Sequence, residues 1–139
     1  MSNPLAILQG AYRDPLEYAR QLAAAGQRVV GYTAPDTPIE LLIAAGLHPV
    51  LILPRAPVEP ALTGDYLADT DPWELKAMIE RLVDGSCRDL AIVIVSRPHE
   101  WLYYMGKEFV RTGMGEAIPP LHMLDLVHHA DASIAAYNR

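Results

Sequence analysis

Between Arg28 and Leu53 the chain runs through four successive stretches. Arg28-Val29-Val30-Gly31-Tyr32-Thr33 is a short apolar run rich in β-branched residues. Ala34-Pro35-Asp36-Thr37 is a turn, and Pro38-Ile39-Glu40 opens an apolar helix that stops at Gly46. Pro49–Leu53 is a second apolar run. A strand, a short helix and a strand in so brief a span read as two parallel strands joined by a right-handed crossover.

The rest of the chain repeats that grammar. Asp14-Pro15-Leu16-Glu17, Thr37-Pro38-Ile39-Glu40, Asp71-Pro72-Trp73-Glu74 and Arg97-Pro98-His99-Glu100 share one helix-start pattern. Proline suits the first helical position, and Asp or Thr before it can cap, with Glu reaching back to the cap N–H. Arg97 is a poor cap, which sets the fourth start apart. The predicted helices are Pro15–Ala25, Pro38–Ala45, Pro72–Asp84 and Pro98–Arg111, with a last one from near Asp131. The predicted strands are Arg28–Thr33, Pro49–Leu53, Leu90–Val95 and Leu121–Leu126. Leu75, Met78, Ile79, Leu82 and Val83 form the clearest apolar stripe, with Lys76 and Glu80 paired outside it. Leu102, Met105, Phe109 and Val110 form another.

Strands alternating with helices imply a doubly wound α/β fold: a parallel four-stranded sheet, order 2-1-3-4, flavodoxin-like, preceded by an N-terminal helix. All 139 residues suit one domain. Ligands of such sheets sit beyond the carboxyl ends of the strands. The residues expected there are Tyr32, Thr33, Ala34, Asp36, Arg55, Ser96, Arg97, His128 and His129.

A formal net charge of −6 argues against general nucleic-acid binding. No apolar run is long enough to span a membrane, and the start of the chain does not resemble a signal peptide. Cys87 is the single cysteine, so no internal disulfide forms. These features predict a cytoplasmic protein.

Residues 28–53 resemble the opening unit of the 2-hydroxyacyl-CoA dehydratase and benzoyl-CoA reductase family. The likeness continues through Asp65-Tyr66-Leu67, Asp84-Gly85, the apolar strand Leu90–Val95, the Pro-led stretch Pro119–His128 and Tyr137-Asn138-Arg139. It covers the N-terminal domain of a typical subunit. The resemblance implies an acyl-CoA substrate, lyase chemistry and a [4Fe-4S] cluster held by cysteines. Where the family carries those cysteines, this chain has Asp71-Pro72 and Ser96-Arg97. One thiolate does not hold such a cluster, so no cofactor is expected.

Glu40, in the family's Pro-x-Glu position, is the candidate acid or base, against a helix-capping role. Tyr32, Thr33, Ser96 and Arg97 are candidate substrate-binding residues. Arg97 is suited to gripping an oxyanion, against a surface pair with Asp36 or Asp125. Adjacent His128 and His129, with Asp125 and Asp131, match no familiar zinc spacing. Ser96 with His129 lacks a nucleophile-elbow sequence. Trp101, Tyr103 and Tyr104 are candidates for an interface. The expected function is a dehydratase-like domain without iron–sulfur ligands, acting as a binding or subunit-interaction module. Its partner is a second copy or a subunit supplying the missing domain. The alternative is a metal-independent enzyme acting on acyl-CoA thioesters through the retained cleft.

Overall fold

The computed structural model describes residues 3–54 and 60–125. The last predicted helix, with Arg55, His128, His129 and Asp131, lies outside the described residues.

Helix α1 (Pro4–Arg13) and helix α2 (Pro15–Ala24) precede strand β1 (Val29–Tyr32). Helix α3 (Ile39–Ala44) leads to strand β2 (His48–Leu51). A 3₁₀ turn at Gly64–Tyr66 precedes helix α4 (Trp73–Val83) and strand β3 (Ile92–Ser96). A second 3₁₀ turn, Arg97–His99, runs into helix α5 (Glu100–Arg111), and strand β4 (Leu121–Leu124) follows. The four strands are all parallel in the order β2-β1-β3-β4. This is the doubly wound arrangement expected from the alternating elements.

α1 was not expected. Its start repeats the pattern read elsewhere: the Asn3 side chain accepts from the Leu5 N–H at 3.0 Å, and Pro4 takes the first turn. It packs on α2 and leaves Leu5, Leu8 and Tyr12 exposed. Of the three expected capping boxes, only Asp14 caps, accepting from the Glu17 N–H at 3.1 Å. α3 and α4 begin one residue later than expected, with Pro38 and Pro72 in the cap position and no side-chain cap. Asp71 closes the turn before α4 instead, accepting from the Ala68 N–H at 2.8 Å. α2 and α3 end at Gly26 and Gly46, both with positive φ, which suits glycine.

The main core lies on one face of the sheet. Leu16 and Ala19 of α2, Met78, Ile79 and Leu82 of α4, and Leu102 and Phe109 of α5 pack against Val29, Val50, Val93, Val95 and Leu121. Gly31 faces this core. A Cβ there would stand 2.7 Å from Leu90 Cδ1 and 2.8 Å from Ile52 Cδ1. Gly106 gives Leu121 the same close approach to α5. Val110 departs from the expected stripe and is 51 % exposed, because Leu102, Gly106 and Phe109 are the α5 residues turned to the core.

Two charged residues of α4 are tied into the fold, Glu80 against the expected pairing. Glu80 does not pair with Lys76, whose ammonium donates to the Asp69 carbonyl at 3.2 Å. The Glu80 carboxylate accepts from the N–H groups of Ala61, Leu62 and Thr63 at 2.9, 2.9 and 3.1 Å, and from the Thr63 hydroxyl at 2.8 Å. It ties the loop after β2 to the helix. Arg81 is buried, and its Nη1 donates to the Leu53 carbonyl at 2.6 Å.

Strand parity turns Val30 and Tyr32 to the opposite face, in register with Ile92 and Ile94. A right-handed crossover puts α3 on that face, away from α4 and α5. The third layer is therefore one short helix among the described residues.

Candidate functional site

Four parallel strands bring their carboxyl ends to one edge, and the starts of α4 and α5 come to the same edge. Tyr32 ends β1 and Ser96 ends β3; Thr33, Ala34 and Asp36 follow β1, and Arg97 follows β3. The described residues expected at this edge are thus there.

Thr33 and Ser96 meet directly. The Thr33 N–H donates to the Ile94 carbonyl at 3.1 Å, and the Ser96 N–H donates to Thr33 Oγ1 at 3.3 Å. The Thr37 and Ser96 hydroxyls lie 3.0 Å apart and share a hydrogen bond. All three residues are buried. Thr37 was expected to cap α3; the end of β3 takes its hydroxyl instead. A serine becomes a nucleophile when a base accepts its proton, whereas the Ser96 hydroxyl is paired with another hydroxyl. The buried Oδ1 of Asp36 has no hydrogen-bond partner among the described residues.

Arg97 reaches sideways to acidic partners. Its Nη1 donates to Asp125 Oδ1 at 2.8 Å, and its Nε lies 3.4 Å from Glu100 Oε2. Glu40 is exposed in the first turn of α3. Tyr32 is half-buried on the sheet face that α3 shares.

The segments following Asp71 and Ser96 converge. Pro72, Glu74, Leu75 and Met78 from the start of α4 meet His99 and Trp101 from the start of α5 around a cavity of about 320 Å³. Sequence reasoning overlooked His99, although it sits inside the Arg-Pro-His-Glu helix start. Trp101 is half-buried against the core, while Tyr104 is 62 % exposed.

The donor set does not fit an iron–sulfur cluster, which takes thiolates. Asp71 is bonded to backbone and Ser96 to Thr37. Cys87 lies between α4 and β3, near the amino end of β3, and is fully buried. Burial pushes its thiol up to about 12, with Arg81 opposing and Asp84 adding to the rise. Among the described residues, no group of three or more His, Cys, Asp or Glu is placed to hold a metal ion. No described helix is long and apolar enough to cross a membrane.

No protein-family model matches the chain, and no curated protein matches it. The fold and the edge chemistry therefore define its class: a doubly wound α/β domain with a hydroxyl-tied carboxyl edge.

Proposed function

We propose that the chain is a binding or subunit-interaction module, laid out like the N-terminal domain of 2-hydroxyacyl-CoA dehydratase subunits but without iron–sulfur ligands. The character of α3 carries this reading. Its sequence, Ile39-Glu40-Leu41-Leu42-Ile43-Ala44, has one polar residue, yet Leu41 is 68 % exposed and Ile43 58 % exposed. A helix apolar on every side normally lies inside a protein. Leu41 and Ile43 are two residues apart and so open on different sides of the helix, and exposed apolar surface of this kind marks contact sites. The sheet face beside α3 adds half-buried Tyr32, Ile92 and Ile94. The partner surface is apolar, and a second copy of the chain presents one. The chemistry at the edge supports the same reading, because the Ser96 hydroxyl is paired with Thr37 and Arg97 with acidic groups.

Sedimentation equilibrium tests it. The expected result is a mass above that of one chain, returning to one chain when Leu41 and Ile43 are both replaced by Asp. Melting with added acyl-CoA thioesters tests the enzymatic alternative. A ligand at about 100 times its Kd raises stability by about 2.7 kcal/mol. A single-chain mass together with such a shift would replace the interaction reading by an acyl-CoA-binding one, and turnover of the thioester would make the chain the enzyme of the alternative.

A further inference from the structure

We propose that the cavity between the starts of α4 and α5 binds a small neutral molecule, apolar except for one hydrogen-bond acceptor that takes the Nε2–H of His99. The inference does not depend on docking through α3, which lies on the other face of the sheet.

Three observations lead to this ligand. The first is size and lining. About 320 Å³ walled by Pro72, Leu75, Met78 and Trp101 is at the small end of ligand sites, enough for a single ring or a short branched chain. The second is His99. Its Nδ1 is buried and has no hydrogen-bond partner among the described residues. A buried N–H without an acceptor is costlier than a buried lone pair, so the proton of the neutral ring sits on Nε2. Nε2, separated from the buried nitrogen by Cε1, is the ring's other hydrogen-bonding atom, and His99 is a wall of the cavity. The site therefore offers a ligand one donor and asks for one acceptor. The third is charge. Glu74 lines the same cavity and already answers the positive end of α4, which disfavours an anionic guest. A ketone, tertiary amide or ester carbonyl on a compact hydrocarbon frame fits; a free carboxylate does not.

NMR titration of the full chain with cyclohexanone, cyclohexanecarboxylate and methylenecyclohexane tests the inference. The signals read are the Met78 methyl and the Trp101 indole. Cyclohexanone should shift both along a saturating curve. The carboxylate should bind about tenfold more weakly, and the hydrocarbon about fivefold more weakly. His99→Phe should remove the advantage of cyclohexanone over methylenecyclohexane, and His99→Gln, which keeps a donor, should retain part of it. The ¹⁵N signals of the His99 ring in the unaltered protein provide a reading that needs no variant. Absence of saturable shifts, equal affinity for the three probes, or an Nδ1–H tautomer would each overturn the proposal.

Discussion

Thr37 and Ser96 stand 59 positions apart in the chain and share a buried hydroxyl–hydroxyl hydrogen bond of 3.0 Å. With the bond from the Ser96 N–H to Thr33 Oγ1, it fastens the loop after β1 to the last residue of β3. In a doubly wound sheet this is the edge where ligands enter. Here its two central strands are joined by polar groups that satisfy one another.

That arrangement has a measurable strength. Removing one partner leaves the other hydroxyl buried and unpaired, at a cost of about 1–3 kcal/mol. Ser96→Ala and Thr37→Val should each lower urea stability within that range. The double variant should lose less than the sum of the two, with a coupling of about 1 kcal/mol. Full additivity would mean that the hydroxyls do not act as a pair.

Gly31 lies where β1 passes under Leu90, Ile52 and Val93, whose nearest atoms would be 2.7, 2.8 and 3.2 Å from an added Cβ. The collision is with side-chain methyl groups in a packed core. Gly31→Ala should therefore destabilise by about 1–3 kcal/mol through overpacking. Chemical denaturation reads the effect, and an unchanged midpoint would contradict this packing.

Glu80 accepts four hydrogen bonds from residues 61–63. Bonds to a charged acceptor are worth more than neutral ones. Glu80→Ala should cost about 2–3 kcal/mol and speed amide exchange at Ala61, Leu62 and Thr63. Glu80→Gln, which keeps one acceptor oxygen, should fall between the two. Exchange at these three amides as slow as in the original protein would show that the carboxylate does not hold the loop.

Cys87 makes stability depend on pH in the alkaline range. Its thiol is raised from an ordinary value of 9.0 to about 12, first of all by burial. Below about 9 both folded and unfolded chains keep the proton, and the contribution is fully present. As pH rises from there toward 12, the unfolded chain releases the proton while the folded chain keeps it. Stability falls by up to about 1.4 kcal/mol per pH unit. Denaturation at several pH values above 9 should show a shallower decline in Cys87→Ala. The native thiol should also resist thiol reagents that modify it promptly after unfolding.

Sheet order and the crossover at residues 28–53 were legible because apolar runs, helix starters and glycine stops are local signals, and handedness then leaves few layouts. The approach of Thr33 to Ser96 followed from the same topology. What escaped the sequence depends on competition between distant parts. Thr37 carries a helix-cap pattern, but β3 brings Ser96 within bonding distance and takes its hydroxyl. Glu80 stands four residues after Lys76, as a helix pair should, but the loop at 61–63 offers three N–H groups and a hydroxyl. His99 looked like part of a helix start, and only the meeting of α4 with α5 makes it a cavity wall. α1 is a different kind of omission, since Asn3-Pro4 has the same start signal as Asp14-Pro15.

Sedimentation equilibrium over roughly 1–100 µM protein, a range that spans micromolar affinities, bears most directly on the interaction reading. The account predicts a mass above one chain that rises with concentration and falls back to one chain in the Leu41→Asp, Ile43→Asp double variant. A single-chain mass at every concentration, or an assembly indifferent to both substitutions, would contradict docking of two copies through α3.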